Sequence, residues 1–390
     1  MNLFFSKLDE KRKTKELRVV FWGTYDTGKP RVRILISGAR AACLEVTECH
    51  IDIWKGIEDK SQLKGIFRKI ELIISILIAY PVLIYRYLRL PHHDIVIVPY
   101  MGQFDVLILK MFAKLRRIPI CWDVFLSLYD TIVIDRKLVG KKSLVARLSY
   151  TIEWLSSRAA NLIFLDTKTH AKYFEKIYKL PQNSVGCVYV GAELEVFREL
   201  KFDTLKSKNF SVLFYGQFIP LHGIETIVYA AKRLEDAGKR IKFVIIGKGQ
   251  EKERIDDLIK KLGIMCIHRI PWVPFEKLVY YIQNADICLG IFGDSGKATR
   301  VIPNKVYQIL SAGKPLITGD TPAIRELLNE NPKIRLVEPG NSEALATAVL
   351  DLRNTIDKKI DNSIVSINLP IIGPMEVGKQ LIELFRGCNL

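Results

Sequence analysis

The sequence has no run of about 20 apolar residues, which is the length that a membrane-spanning helix requires, and it has no C-x-x-C pair. Its seven cysteines are scattered and lie mostly within apolar runs, which indicates buried thiols in a reducing compartment rather than a zinc ribbon or a disulfide framework. Low-complexity tracts and short-period repeats are also missing. The start of the chain turns charged early, so no secretory signal is expected.

Positive charge is what the chain has in excess. Of its 390 residues, 59 are Lys or Arg and 42 are Asp or Glu, which gives a formal net charge of +17. Residues 1–200 hold 32 of the basic and 21 of the acidic residues, so the first half is the more basic one. Such a surplus favours anionic lipid, phosphorylated substrates or nucleic acid as partners. Basic motifs interleaved with aromatic residues are missing, so no nucleic-acid partner is expected.

One apolar segment raises the question of a membrane surface. Leu72–Tyr85 is apolar or nearly so over 14 residues, contains Pro81 and has basic residues on both flanks. It is too short to span a bilayer. Two interpretations stay open, a buried helix of the first domain and a helix in the bilayer interface with its basic flanks on phosphate headgroups. We favour the second, and both apply if they concern different faces of one helix.

Short apolar segments alternate with helical patterns along the whole chain, which predicts parallel sheets covered on both faces. The fold expected is α/β, with two doubly wound, Rossmann-like domains that face each other across a cleft. Residues 1–198 are predicted to form the first domain and residues 199–373 the second, and a C-terminal helix at about 374–390 is expected to pack back on the first. Residues 202–209 are polar and lysine-rich, and they are the candidate linker. Strands are predicted at 18–22, 44–53, 94–99, 118–122, 162–165 and 185–190, and then at 212–215, 243–246, 265–270 and 287–291.

Two glycine-bearing turns follow predicted strands of the second half. Gly216 lets the backbone turn sharply, and Gly223 opens a helix whose free N–H groups suit a diphosphate. His222 beside it is able to donate to that phosphate. Gly247 marks a second such turn. Either turn alone is also what an ordinary strand end looks like.

A third segment, residues 301–326, combines a polar loop, a short helix, a buried strand and a second helix start. Lys305 and Gln308 are three residues apart and therefore lie on the same side of one helical turn. The helix is expected to stop at Gly313, and Thr321 with Pro322 is expected to cap the next helix. A cation beside a side chain that reads hydroxyl groups suits a phosphorylated sugar nucleotide, although an ordinary α/β unit has the same outline.

Taken in order, four segments of the second half resemble the family-4 glycosyltransferases of the GT-B fold. They are FYGQFIPLHGIETIVYAAKRL, FVIIGKGQE, PWVPFEKLVYYIQNADICLGIF and IPNKVYQILSAGKPLITGDTPAIREL, and they cover most of residues 211–330. The first half resembles that family more loosely. The resemblance implies a cytoplasmic enzyme that moves a sugar from a nucleotide donor with retention and without a metal or other cofactor, the donor lying against the second domain.

The resemblance also implies roles for single residues of the second half. Gln308 stands where the family has a glutamate that holds the ribose hydroxyls, and His222 and Gln217 stand where it has a lysine and an arginine that hold the diphosphate. All three are departures, so the charge on the diphosphate must come from elsewhere. The leading candidate is Lys305. Two further donor-site candidates are Arg300, for the diphosphate, and Asp294, where the family often has a sugar-side carboxylate.

In the first half, Gly23 and the loop to Arg31 match the glycine-bearing loop that the family places near phosphate and acceptor. Asp123 follows a predicted strand at a point where relatives carry a His or Asp that lines the sugar. It is the catalytic candidate, because a carboxylate there stabilises positive charge growing at the anomeric carbon; the alternative for it is a helix cap or a surface acid. A protein nucleophile is not evident, so we expect a same-face mechanism in which the leaving phosphate deprotonates the acceptor.

The predicted function is therefore a peripherally membrane-associated glycosyltransferase that extends a lipid-linked or cell-surface glycan, docked on anionic membrane through Leu72–Tyr85. Two alternatives stay open. A nucleotide-sugar 2-epimerase shares the fold and the donor pocket, but it needs carboxylates placed for elimination and re-addition. A non-catalytic partner that tethers an active enzyme at a membrane is supported by the neutral residues at positions 217, 222 and 308, and it predicts the loss of nucleotide binding.

Overall fold

The computed structural model describes residues 17–54, 66–199, 210–358 and 369–387 of the chain. The candidate linker at 202–209 lies outside these residues. Within them the strands form two six-stranded sheets, and every strand pairs in parallel with its neighbours. The predicted pair of doubly wound α/β domains is confirmed.

The first sheet has the strand order β2-β1-β3-β4-β5-β6. Three of its four inner strands, β3 to β5, are buried along their whole length, as expected for apolar runs in a sheet covered on both faces. The strands are β1 (Arg18–Gly23), β2 (Glu45–His50), β3 (Ile95–Val98), β4 (Ile120–Asp123), β5 (Leu162–Leu165) and β6 (Val185–Cys187). The helices of this half are α1 (Pro30–Ala41), α2 (Ile66–Arg89), α3 (Gln103–Arg116), α4 (Leu144–Ala159), α5 (Lys168–Tyr178) and α6 (Leu194–Glu199).

The second sheet has the strand order β12-β11-β10-β7-β8-β9, so the chain reverses its direction of progress between β7 and β10. Ligands of open α/β sheets bind beyond the carboxyl ends of the strands at such a switch point. The strands are β7 (Phe210–Tyr215), β8 (Ile241–Ile246), β9 (Ile267–Ile270), β10 (Ile287–Leu289), β11 (Leu316–Gly319) and β12 (Ile334–Val337). The helices are α7 (Ile224–Asp236), α8 (Lys252–Lys261), α9 (Phe275–Asn284), α10 (Asn304–Ser311), α11 (Pro322–Arg325) and α12 (Ser342–Lys358).

Helix termini follow the capping signals of the sequence. The Thr321 hydroxyl accepts a hydrogen bond from the Ile324 N–H at 3.2 Å, and Pro322 opens α11. Helix α10 ends at Ser311, shortly before Gly313, whose φ is +68°. Both predictions for this segment are confirmed. The strand β12 and the helix α12, which follow this segment, were not predicted from the sequence.

A single-turn π-helix, Asp130–Asp135, follows the loop after β4. The sequence gives no signal for it, because its pattern DTIVID fits a short strand or a helix turn equally well. Single turns of π-helix frequently occur at functional sites. This one lies against the second domain and forms one wall of the cleft, as the contacts described below show.

The C-terminal helix α13 (Pro374–Gly387) packs against α1 of the first half of the chain. Gly38 and Gly378 meet where the two helices cross, and a side chain at either would strike the other's backbone. Val377, Leu381 and Phe385 enter the core beneath α1. The six cysteines of the described residues are free thiols, of which Cys49, Cys121 and Cys288 are buried as predicted, whereas Cys43 is exposed and the other two are half-buried.

Helix α2 contains the segment Leu72–Tyr85 and has two different faces. Ala79, Leu83 and Tyr87 are buried, and the last two pack in the hydrophobic core of the first domain. Leu77 and Ile78 on the other face are 67% and 62% exposed. Within the described residues, no helix combines the length and the hydropathy that crossing a membrane requires. The interpretation of this segment as a buried helix therefore holds for one face of α2, whereas the other face is apolar and exposed to solvent.

Candidate functional site

Three segments of the second domain converge at the switch point between β7 and β10. They are the turn after β7 (residues 216–223), the loop after β10 (residues 290–303) and the first turn of α10. The Phe292 N–H donates to the His222 carbonyl at 3.0 Å, which joins the first two. Gly223 lies directly on the backbone of Phe292 and Gly293, so a side chain there would collide with the neighbouring loop. These segments at the carboxyl ends of β7 and β10 thus form one joined surface, which is called the floor below.

Lys305 is the charged group of this floor. It lies in the first turn of α10 and is 5% exposed, and its Nζ has no hydrogen-bond partner among the described residues. The Nζ lies 3.8 Å from the centroid of the Phe214 ring. A Cβ at Gly216 would lie 2.9 Å from this nitrogen, and Gly216 has a φ of +147°, so only glycine leaves room here. Burial lowers the pKa of Lys305 well below its usual value.

His222 lies next to Lys305 but does not add a positive charge. Its Nδ1 is bonded to the Gln217 carbonyl, which only accepts, so Nδ1 carries the proton of the imidazole. Burial lowers the pKa of His222 well below its usual value, and the nearby Lys305 and Arg136 lower it further. The ring is therefore neutral at pH 7. Its one N–H is used within the turn, so a donation to phosphate requires that His222 first be protonated or change partner.

Gln308 lies one helical turn beyond Lys305 and is held by Tyr215 at the end of β7. The Tyr215 hydroxyl lies 3.0 Å from the Gln308 Oε1 and 3.3 Å from the Lys305 carbonyl. Because the side-chain carbonyl accepts this bond, the amide nitrogen is the end of Gln308 left to donate to a ligand. Tyr215 was not predicted from the sequence, although its position as the last residue of an apolar strand before Gly216 is a usable signal.

Gln217 and Gly247 complete the edge of the floor. Gly247 follows β8, and its Cα touches the Gly216 carbonyl so closely that a Cβ would collide with it. The turn after β8 is tied to the turn after β7 because the Phe218 N–H donates to the Lys248 carbonyl at 2.9 Å. The Gln217 Oε1 accepts a hydrogen bond at 3.3 Å from Nη2 of Arg136, a residue of the first domain that was not predicted.

Two predicted donor-site residues lie in the loop after β10 and have different surroundings. The Arg300 Nη2 donates to Asp130 at 2.8 Å, and its guanidinium carbon lies 3.5 Å from the centroid of the Tyr173 ring. Arg300 is thus engaged by the first domain, and its role as the second candidate for the diphosphate stays a prediction. Asp294 is exposed in the same loop, and its sugar-side role stays a prediction.

On the first-domain side, the backbone after β1 rests on a buried carboxylate. Asp105 accepts from the Thr24 N–H at 2.8 Å and from the Tyr80 hydroxyl at 2.8 Å, and its oxygen touches Gly23. Burial raises the pKa of Asp105 to about 6, and the hydrogen bonds it accepts oppose this rise. The Gly23 turn is therefore pre-shaped by Asp105, which was not predicted.

Asp123 and Arg31 form a buried ion pair. The Arg31 Nε and Nη2 each donate to one Asp123 oxygen at 2.9 Å, and both side chains are almost fully buried. The Arg31 Nη1 donates to the carbonyls of Val188 and Tyr189 at 2.7 and 3.1 Å. Burial raises the pKa of Asp123, and the charge of Arg31 opposes that rise.

This pair changes what is expected of both residues. Arg31 points into the first domain with its guanidinium on protein acceptors, so its predicted place at the phosphate and acceptor loop needs correction. Gly23, at the start of that loop, does lie at the carboxyl end of β1. The catalytic role of Asp123 stays a prediction, and its carboxylate is already neutralised by a partner that was not predicted.

The two domains are joined across the cleft by several polar contacts. Glu326, after α11, accepts from the backbone N–H groups of Lys168 and Thr169 at 2.8 and 2.7 Å, and so caps the first turn of α5 from the other domain. The Thr167 hydroxyl donates to the Arg300 carbonyl at 2.5 Å. The Lys297 Nζ donates to the Thr131 hydroxyl at 2.7 Å. The floor of the second domain thus faces the π-helix of the first.

Residues 196–362 match the family model of the glycosyl transferases group 1. The matched residues include 211–330, the part of the chain that carries the resemblance to glycosyltransferases. Among curated relatives, the amylovoran biosynthesis glycosyltransferase AmsK of Erwinia amylovora is 23% identical over 175 residues, which are 44% of this chain and 42% of that protein. The uncharacterized glycosyltransferase MJ1059 of Methanocaldococcus jannaschii is 21% identical over 168 residues, 41% of this chain and 40% of that protein. The chain thus matches less than half the length of these relatives.

Solved structures show the same fold over nearly the whole chain. HepE of Anabaena in complex with UDP and glucose superposes with a TM-score of 0.63 at 14% identity, covering 95% of this chain and 100% of that one. The sucrose-phosphate synthase of Thermosynechococcus elongatus gives a TM-score of 0.60 at 13% identity, covering 96% and 95%. The predicted GT-B architecture is confirmed by these likenesses.

Proposed function

We propose that this chain is a glycosyltransferase that takes a sugar from a nucleoside diphosphate donor held at the switch point of the second domain. The observation that carries the proposal is Lys305, a buried lysine whose Nζ has no hydrogen-bond partner among the described residues and lies beside Gly216, which follows β7. An unpaired buried cation is costly, and a phosphate oxygen is the partner that repays the cost. The match of residues 196–362 to the family, and the UDP in the complexes of HepE, support the same donor class.

In the proposed complex the diphosphate lies over Gly216 against Lys305. Gln308, held through its carbonyl by Tyr215, donates its amide to a ribose hydroxyl. A cation supplied by the protein takes the place that a divalent metal has in other nucleotide sites, so no metal is needed for the transfer. Within the described residues no three His, Cys, Asp or Glu side chains are grouped as a metal site.

The proposed reaction retains the configuration at the anomeric carbon. The bond from that carbon to the diphosphate breaks, the acceptor oxygen attacks from the same face, and the leaving phosphate takes the acceptor's proton. Lys305 stabilises the charge that develops on the phosphate. Asp123 contributes through the field of its ion pair with Arg31 rather than as a free base, because both of its oxygens accept from that guanidinium.

Nucleotide binding tests the donor site directly. We expect the melting temperature to rise with one of UDP, GDP and ADP, or with its sugar ester, and the shift to be unchanged by EDTA. A ligand at 100 times its dissociation constant adds about 2.7 kcal/mol of stability, which a thermal melt resolves. A shift that disappears with EDTA contradicts the metal-free site. Absence of any shift supports the non-catalytic partner instead.

The acceptor side is proposed to lie on an anionic membrane of the cytoplasmic side, so that the acceptor is a lipid-linked or cell-surface glycan. The open face of α2 carries an apolar stripe at helical spacing, which includes Ile74, Leu77, Ile78 and Tyr85. Helix α4 adds a second exposed apolar group, Leu144, Val145 and Leu148. Arginines at the end of α2 and the positive net charge suit lipid phosphate groups.

Leu77→Glu tests this surface. Because Leu77 is 67% exposed, we expect the variant to fold as the wild type does while its binding to vesicles that contain anionic lipid falls about tenfold, the cost of withholding one leucine from the interface. Vesicle co-sedimentation measures the binding. Met265→Glu is the matched control, because Met265 is 88% exposed on the second domain. Equal binding by both variants contradicts the membrane surface.

A further inference from the structure

The phosphate side of the candidate site has less positive charge than a diphosphate requires. Gln217 is neutral, and burial together with the nearby charge of Lys305 lowers the pKa of His222 well below its usual value, although its bond to the Gln217 carbonyl acts in the opposite direction. Lys305 is the second-domain cation that lies beside Gly216, whereas Arg269 lies on the ring of Phe218 and donates to backbone carbonyls. A diphosphate has two charged phosphate groups, so a second cation is to be sought on the opposite wall of the cleft.

Arg136 occupies that wall. Its Nη2 donates to the Gln217 Oε1 at 3.3 Å, and its carbonyl accepts from the Gln250 Nε2 at 3.3 Å. It therefore touches both glycine-bearing turns, the one after β7 and the one after β8. The charge of Arg136 lowers the pKa of His222, as that of Lys305 does, which places both cations around the same imidazole. The hydrogen bond between Arg136 and Gln217 is exposed to solvent.

The backbone that carries Arg136 is fixed against the second domain. Arg136 directly follows the π-helix Asp130–Asp135. Asp130 at its start accepts from Arg300, and Asp135 at its end accepts from the Ser295 hydroxyl at 3.2 Å. The π-turn is thus clamped by the loop after β10, and the clamp sets the place where the Arg136 side chain enters the cleft.

We propose that Arg136 is a ligand of the donor diphosphate, contributed by the first domain across the cleft in place of a cation at position 217. The proposal rests on the proposed donor site. In the complex the guanidinium adds charge-assisted bonds to phosphate oxygens, which are stronger than its bond to the neutral Gln217. Lys305 and Arg136 then hold the diphosphate from two domains, so the affinity for the donor depends on the closed arrangement of the cleft.

The test uses the nucleotide, among UDP, GDP and ADP, that binds the wild-type protein, together with the matching monophosphate, and measures dissociation constants by calorimetry. Arg136→Gln is expected to weaken diphosphate binding about tenfold or more, the effect of one charge-assisted hydrogen bond, and to weaken monophosphate binding less. Lys172→Gln, at an exposed lysine of α5, is the control for loss of one charge from the first domain.

A second variant tests whether Arg136 acts through its charge on the diphosphate or by holding the two glycine-bearing turns together. Gln217→Arg in the Arg136→Gln background places a cation on the other side of the same contact, and it is expected to restore most of the lost affinity. Equal weakening of diphosphate and monophosphate binding, with no restoration by Gln217→Arg, overturns the proposal. Wild-type binding to none of the three nucleotides overturns both this proposal and the donor site, whereas unchanged binding by Arg136→Gln overturns this one alone.

Discussion

Lys305→Met is expected to weaken nucleoside diphosphate binding strongly and to raise the thermal stability of the ligand-free protein at the same time. Methionine keeps the length of the side chain against Phe214 and removes the charge. The lost charge-assisted bond weakens binding by about 2 kcal/mol or more, which is about 30-fold. Removing a buried cation that has no hydrogen-bond partner among the described residues stabilises the fold by about 1–3 kcal/mol.

Calorimetry with the diphosphate and thermal melts of the ligand-free protein measure the two effects. Lys239→Met is the control, because Lys239 is exposed in the same domain. A lower affinity together with a higher stability identifies Lys305 as a ligand-binding residue that destabilises the ligand-free protein. A fall in both quantities indicates a structural lysine, and an unchanged dissociation constant removes Lys305 from the donor site.

The pH dependence of the stability difference follows from the lowered pKa of Lys305. A lysine whose pKa is lower in the folded than in the unfolded state binds fewer protons when folded, so its burial destabilises the protein fully below the folded pKa. The penalty disappears as pH approaches the unfolded value of about 10.4. The gain from Lys305→Met is therefore expected to shrink between neutral pH and pH 10. A diphosphate favours the charged lysine, so its binding takes up protons at high pH.

The second half of the fold was predictable in most of its elements because each strand is a short apolar run that ends in glycine or a polar turn. The predicted strand at 243–246 lies within β8, and the helix that carries Lys305 and Gln308 ends just before its predicted glycine stop. These signals are local. The strand order and the resulting switch point between β7 and β10 follow from the same alternation of strands and helices.

The candidate site was predictable only where the chemistry is local. Gly216, His222, Lys305 and Gln308 lie close together because they follow β7 and β10, which are neighbours in one sheet, and their role in donor binding stays a prediction. The partners of Arg31, Arg300 and Gln217 belong to distant segments, 92 to 170 residues away for the two ion pairs and 81 for the Arg136 contact. One sequence does not show which charges meet across such separations. The π-turn that positions Arg136 has no sequence signal of its own.

Breaking the pair of Arg31 and Asp123 is expected to have the largest effect on stability. Arg31→Met leaves Asp123 as an uncompensated buried charge, and Asp123→Leu leaves Arg31 as one, so each is expected to cost about 3–5 kcal/mol. Replacing both residues by apolar side chains removes both charges together. The double variant Arg31→Met, Asp123→Leu is therefore expected to be more stable than either single variant, by chemical denaturation at pH 7.

The exposed pair Arg325 and Asp320 gives a matched control, because it has the same bidentate geometry at 2.7 Å but lies at the surface. Arg325→Met is expected to change stability little, since water and salt screen such a pair. If Arg31→Met is as mild as this control, the buried pair is not what holds β4 to the segment after β6. The folded double variant also decides the role of Asp123 in the reaction. Sugar transfer that survives in it contradicts a catalytic carboxylate at position 123, whereas loss of transfer with donor affinity retained assigns the ion pair to the chemical step.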